Sequence, residues 1–321
     1  MKNILIVGAG AVGQAYGYQF AQAGNQVSFF VKEKHEQSMA EGLVLYHLNQ
    51  DKKRRRPVHF RDYGVITDWH KARETHWHQI YLCISSTAFL TFDFKGLEQA
   101  IKPETIVVIL QPGPDDYELA CQHLPKEQLV QGMITLISYN APLPGESVPE
   151  PGIAYWLPPM AATPFTGNPK ARAAVVNTFK RANMNAAVNT NLRKMAPYAT
   201  AALMVFLTAL EASDWQFDQL KSNVELQEQM LQAQSQAFDA VSWQTDTPPP
   251  LWRHAIKGWV IRLLLRTAPK VVPLDLETYF QVHFTKVKDQ TKLFMNTYIA
   301  SAEKHDLEAA DLIALNQMTD H

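Results

Sequence analysis

Short unbroken apolar runs alternate with amphipathic stretches through the first half of the chain. "NILIV" (3–7) predicts a strand buried on both faces, 8–13 a turn, and 14–23 a helix stopped by Gly24. "QVSFFV" (26–31) predicts the next strand, and 64–69, 80–85, 105–110 and 129–137 predict further ones. Helical spacing over 88–101 is ended by Pro103. Strands that are continuously apolar and separated by helices predict a parallel sheet covered on both faces. The pattern changes over 142–169, where "APLPGESVPEPG" and "LPPMAATPFTGNP" predict turns and a boundary. Beyond Lys170 the periodicity is helical, over 170–181, 193–212, 223–241, 251–267, 275–301 and 308–318. No internal repeat is evident.

Composition narrows the class without changing that outline. The 321 residues suit two domains, and 46% hydrophobic content suffices for two cores. Thirty Lys+Arg against thirty-one Asp+Glu give a net charge of −1, so no global field favours nucleic acid. The cluster Lys52–Lys53–Arg54–Arg55–Arg56 reads as a solvated loop. Two cysteines, Cys83 and Cys121, write no disulfide framework and fit a reducing compartment. The apolar run at the N-terminus stops at glycines after four residues, too short for a signal segment. A cytoplasmic protein is expected.

"GAGAVG" places Gly8, Ala9, Gly10, Ala11, Val12 and Gly13 between a strand and a helix, with a second strand following at a suitable distance. In that context G-x-G-x-x-G predicts a dinucleotide-binding turn. Gly8 permits the tight turn, Gly10 lets backbone approach a pyrophosphate, and Gly13 lets helix and strand pack closely. The fold class is therefore an α/β Rossmann-type dinucleotide-binding domain, 1–167, followed by an all-α domain, 168–321. At the tip of the second strand stands "FFVKEK". Lys32 there favours the 2′-phosphate of NADP, while Glu33 leaves NAD open.

"NLRKMAPYATAALMVF" (191–206) sets two cations before an uncharged run. The sixteen residues 195–210 carry no formal charge, fewer than a membrane span needs, and their small residues suit a close-packed helix. "LWRHAIKGWVIRLLLR" (251–266), read as one helix, puts Arg253 and Lys257 opposite Arg262 and Arg266. That distribution favours a packed helix with snorkelling cations over a membrane-surface anchor.

The N-terminal fingerprint, the Pro-rich junction and the helical second half together resemble the ketopantoate reductase family along nearly the whole chain. "ILIVGAGAVGQAYGYQFAQAGNQVSFFVK" looks like that family's opening, "NLRKMAPYATAAL" like the segment around its catalytic lysine, and "AEKHDLEAADL" like its terminal helix–loop. The resemblance implies hydride transfer from NADPH to the carbonyl of a 2-oxo acid or related substrate, with Lys194 as proton donor. A lysine ammonium can protonate a developing alkoxide; Arg193, charged at all accessible pH, can only clamp an anion. It also implies cofactor contacts from Ser85, Ser86 and Gln111 and substrate contacts from Tyr198 and Gln290, with a homodimer formed through the helical domain. The partners expected are a small carbonyl substrate, no nucleic acid and no membrane.

The chain departs from the family pattern at several of these positions. "CISSTAF" places Ser85 or Ser86 where the family has a second lysine. "LQPGPDD" puts Gln111 and Pro112 in place of Asn-Gly. Gln290 stands for a substrate-binding glutamate, and Tyr198 for an asparagine. These exchanges point to an altered substrate or, alternatively, to a non-catalytic NADP-binding sensor. His76-Trp77-His78 and His70 read as surface histidines, and no metal site is expected. Asp115-Asp116 reads as helix capping, or as a contact to substrate or nicotinamide ribose.

Overall fold

The computed structural model describes residues 1–113 and 115–319. Contacts divide the chain into two compact units, Met1–Arg193 and Lys194–His321. The boundary expected after residue 167 falls inside the first unit, because the chain beyond it still builds the main sheet.

That sheet has eight strands: β1 (Asn3–Val7), β2 (Gln26–Phe30), β5 (Gly64–Ile66), β6 (Gln79–Leu82), β7 (Ile106–Ile109), β8 (Leu129–Gly132), β11 (Thr163–Gly167) and β12 (Ala186–Val188). Their order is β12-β11-β8-β7-β6-β1-β2-β5. Pairing is parallel throughout except between β8 and β11, so β11 and β12 run opposite to the rest. The parallel core is as expected; of the antiparallel addition, β11 comes from the Pro-rich stretch that reads as turns and β12 from the segment between the helices expected over 170–181 and 193–212.

Successive strand residues enter opposite layers. Ile4, Ile6, Tyr81 and Val108 join Tyr16, Phe20 and Phe179 from the helices α1 (Ala11–Gln22) and α7 (Pro169–Arg181). Leu5, Val7, Ile80, Leu82 and Val107 join Trp69, Phe89, Leu97 and Tyr117 on the other face. The strands are buried on both faces, which explains their unbroken apolar runs.

A second, four-stranded sheet was not legible in the sequence. It consists of β3 (Leu43–His47), β4 (Val58–Phe60), β9 (Ile137–Ala141) and β10 (Gly152–Trp156), ordered β4-β3-β10-β9. It packs on α1 through β9 and β10, where Gln19 Nε2 donates to the Tyr155 hydroxyl at 2.7 Å. The basic cluster lies in the β3–β4 loop, wound around Asp51, whose carboxylate accepts from the backbone N–H of Lys53, Arg55 and Arg56.

Five short helices complete this unit: α2 (Glu36–Ala40), α3 (Trp69–Ala72), α4 (Ser86–Phe89), α5 (Phe94–Ala100) and α6 (Asp116–His123). The single helix expected over 88–101 is divided into α4 and α5. Asp93 starts a new helix by accepting from Gly96 N–H at 2.9 Å, so the chain re-enters instead of continuing.

The second unit holds α8 (Leu192–Glu211) from Lys194 onward, with α9 (Phe217–Ser222), α10 (Val224–Thr245), α11 (Gly258–Val271), α12 (Leu276–Lys286), α13 (Lys288–Lys304) and α14 (Ala310–Gln317). α10 is its centre, burying Met230, Ala233, Ala237, Phe238 and Val241 and packing on α13 and α14. The helix expected over 251–267 is a 3-10 turn, Leu251–Ala255, followed by α11, with Lys257 at its N-cap. Arg253 and Lys257 therefore lie off the helix. Arg262, Arg266 and Lys270 recur every four residues along one stripe, while Trp259, Leu263 and Leu264 of α11 are exposed. The packed helix expected there buries only Ile261 and Leu265. Among the described residues no helix is long and apolar enough to cross a membrane.

Candidate functional site

The fingerprint lies where the strand order reverses. From β1 the chain goes to β2 on one side and later to β6 on the other, so the ends of β1 and β6 flank a topological switch point. Val7 pairs with both Phe30 and Leu82, and Leu82 pairs with Ile109, so β2, β1, β6 and β7 end on one rung. Three strand spacings make this platform about 14 Å wide. The loops that carry Lys32, Gly8, Ser85 and Gln111 all leave from it.

The three glycines have distinct reasons. Gly8 has φ +95°, and a Cβ there would meet the Cys83 carbonyl oxygen at 2.7 Å. A Cβ on Gly13 would stand 2.1 Å from the Gly8 carbonyl oxygen. These two are required by the turn itself. Gly10 differs: it is exposed, and nothing lies within 4 Å of where its Cβ would be. It is the N-cap of α1 and supplies no side-chain cap, and the first turn contains no acid. The helix starts at Ala11, three residues earlier than the periodicity predicts, so Ala11, Val12 and Gly13 form its first turn. Their N–H groups, at the positive end of a helix, make an anion cradle open to solvent over Gly10. Gln14 Nε2 braces the turn by donating to the Ala9 carbonyl at 2.8 Å. This bond was not read from the sequence; its only trace is a polar residue just inside the helix.

Lys32 follows β2 as the N-cap of a 3-10 turn, Glu33–His35, and both Lys32 and Glu33 are exposed. Ser85 is also exposed, and its hydroxyl caps α4 by accepting from Ala88 N–H at 3.2 Å.

Two residues expected to contact cofactor are committed elsewhere. Gln111 is 2% exposed, and its Nε2 donates to the carbonyls of Leu82 at 2.9 Å and Ile84 at 2.8 Å. It stitches the end of β7 to the end of β6. Ser86 is buried and donates to Asp116 Oδ2 at 2.7 Å, and the same oxygen accepts from Gly113 N–H at 2.7 Å. Asp116 thereby ties the loop after β6 to the loop after β7, and burial raises its carboxyl above the ordinary value. Of the Asp115-Asp116 pair, Asp116 holds this loop junction and Asp115 is exposed at the N-cap of α6.

Arg193 places its guanidinium carbon 3.6 Å from the centre of the Tyr117 ring, a cation–π contact within the first unit. In the second unit Lys194 is exposed in the first turn of α8. Tyr198, expected to touch substrate, is fully buried there: its hydroxyl donates to the Thr247 carbonyl and its ring packs edge-on against Phe238. Gln290 is half-buried near the start of α13. The rings of His76 and His78 stack at 5.1 Å, and His76 Nε2 lies 2.7 Å from Glu104.

Comparison with known proteins agrees with this fold. Residues 4–148 match the family model described as ketopantoate reductase PanE/ApbA. Over 99% of this chain, a PanE/ApbA family ketopantoate reductase from Ralstonia eutropha JMP134 superposes with TM-score 0.74, 14% identity and 97% of its own chain covered. A ternary complex of D-mandelate dehydrogenase with NADH and anilino(oxo)acetate gives 0.73 at 14% identity, covering 99% of this chain and 96% of that one. A 2-dehydropantoate 2-reductase from Geobacter metallireducens GS-15 gives 0.71 at 14% identity, with 99% of both chains covered. No curated protein sequence matches the chain at a significant level.

Proposed function

We propose, from the match of residues 4–148 to the ketopantoate reductase PanE/ApbA model, that the protein is an NADPH-dependent reductase of a 2-oxo acid or related carbonyl. One observation carries the cofactor assignment: the uncapped N-terminus of α1, opened by Gly10, sits at the switch point of a parallel sheet. The residues present fit a dinucleotide. The N–H groups of Ala11, Val12 and Gly13 would take its pyrophosphate, and Lys32, exposed at the end of β2, the 2′-phosphate. D-mandelate dehydrogenase, with the same fold, is solved with NADH, which supports a nicotinamide cofactor without deciding its phosphate.

When bound, a reduced nicotinamide supplies a hydride to the substrate carbonyl carbon. The chain's own contribution is the proton: Lys194 Nζ donates it to the carbonyl oxygen as that oxygen gains charge, and the neutral amine is reprotonated from solvent. What supports this role is the likeness of "NLRKMAPYATAAL" to the family's lysine segment and the exposure of Lys194. Because Tyr198 is committed to packing, substrate selection falls to other groups, Gln290 among them. Ketopantoate itself is one candidate substrate within this reading, and that change favours others.

The test is oxidation of NADPH, followed by loss of reduced-nicotinamide absorbance, across a panel of aliphatic and aromatic 2-oxo acids. Turnover with at least one acid is expected, together with a larger loss of NADPH than of NADH affinity in Lys32→Ala. Tight NADPH binding with no turnover on any acid would overturn the enzymatic reading. Equal losses for both cofactors would remove the phosphate role of Lys32.

A further inference from the structure

Between Asp246 and Asp275 the chain contains no acidic residue and five cations: Arg253, Lys257, Arg262, Arg266 and Lys270. The whole chain has a net charge of −1, so this excess is local. It surrounds α11, where Val271 is 68% exposed, Trp259 60%, Leu264 55% and Leu263 50%. Among the described residues, no other helix of the second unit exposes more than two large apolar side chains.

Read as one helix, 251–266 would scatter its cations around the axis. Arg253 and Lys257 instead precede α11, and Arg253 is held by Asp239 at 3.1 Å. At about 100° per residue, the three cations on α11 fall within an arc of about 80°. Trp259 lies among them, and Leu263, Val271 and Leu264 occupy the adjoining arc of about 100°. The buried Ile261 and Leu265 point the other way and hold α11 to its own unit. Arg262 donates to Gln227 Oε1 at 2.8 Å. Among the described residues Lys257, Arg266 and Lys270 have no ion-pair partner. Within the folded chain this face is costly twice over: its apolar side chains stay in water, and its cations repel one another. A contiguous apolar strip edged by one sign of charge marks a docking surface.

We propose that this face of α11 docks on an anionic phospholipid bilayer. The helix lies along the surface, with Trp259, Leu263, Leu264 and Val271 at the boundary of headgroups and acyl chains. Lys257, Arg266 and Lys270 reach the lipid phosphates, which complement their charge. α11 has 14 residues, a length of about 21 Å, and no described helix can cross a membrane, so the docking is peripheral. Charge favours lipid over a second copy of the chain, because a two-fold contact through this face brings the same unpaired cations together. The docking is independent of the reductase reading.

Flotation of the full chain tests it, with vesicles of phosphatidylcholine alone and of equal parts phosphatidylcholine and phosphatidylglycerol. Binding to the mixed vesicles only is expected, weakening as salt rises. Arg266→Gln with Lys270→Gln should weaken it about ten- to thirtyfold, at roughly fivefold per cation. Trp259→Ser with Leu263→Ser should weaken it at least about tenfold. All four side chains are exposed, so both double variants should melt like the wild type; if the apolar pair does not, the charge pair decides. No binding to the mixed vesicles, or undiminished binding of the charge pair, would overturn the proposal. A wild-type dimer that Trp259→Ser with Leu263→Ser converts to monomer, seen by light scattering, would give the face to a second copy and overturn it as well.

Discussion

Arg193 lies over the Tyr117 ring at 3.6 Å, and the next residue, Lys194, is the first of the helical unit and exposed. Two adjacent cations thus have different surroundings. Burial pushes the Tyr117 hydroxyl up to about 12 although Arg193 opposes the shift, so the ring stays neutral beneath the guanidinium. Arg193→Ala should cost about 0.5–1 kcal/mol of stability and leave kcat nearly intact. Lys194→Ala should leave the melting temperature unchanged and lower kcat by about a hundredfold to ten-thousandfold. Unchanged kcat in Lys194→Ala would end its assignment as the proton donor.

Gly10 and Gly13 separate folding from binding. Gly13→Ala drives a Cβ into the Gly8 carbonyl and should lower stability by about 1–3 kcal/mol or more. Gly10→Ala meets no protein atom, so its stability change should stay within about 1 kcal/mol, the usual cap difference. Its NADPH affinity should nevertheless fall at least about tenfold, roughly 1.4 kcal/mol. Thermal melts and cofactor titration of both variants check the pair.

Gln111 is predicted to matter for stability before catalysis. Gln111→Ala leaves the carbonyls of Leu82 and Ile84 without their donor, at a cost of about 1–3 kcal/mol. Gln111→Glu, which turns a carboxylate toward both carbonyls, should be worse. Denaturant unfolding would show this order; equal stability of all three proteins would return Gln111 to the role of a ligand contact.

Asp116 gives the fold a pH dependence of known sign. Its folded carboxyl holds its proton more tightly than the unfolded one, so its contribution is complete below the ordinary value of 3.8 and is lost as pH rises through the raised folded value. Asp116→Asn removes this titration. The stability of the wild type relative to the variant should therefore decline as pH rises from 3 toward 7, on the order of the shift. A constant difference across that range would contradict the assignment.

The main sheet was legible because fully buried parallel strands leave unbroken apolar runs, and the turn because three glycines carry its stereochemistry. The second sheet was not, because its short strands pair residues as distant as Leu45 and Ile153. Ser86 and Gln111 have side chains that could contact a cofactor, yet their partners are Asp116 and two carbonyls on neighbouring loops. Residue type announces hydrogen-bonding capacity; the chain's long-range path decides who receives it. The division between α4 and α5 was readable in principle, since Asp93 three residues before Gly96 is a capping signal.

The bond from Gln19 to Tyr155 makes α1 a beam with attachments along its length of about 18 Å. One end presents the backbone at Gly10, the middle buries Tyr16 in the core, and the other end anchors the small sheet. That sheet consequently has no life as a module: excised from α1, β9 and β10 would expose their inner face and lose their mooring. Truncations or grafts that treat the fingerprint turn and the small sheet as exchangeable parts should fail for that reason, since a single helix belongs to both.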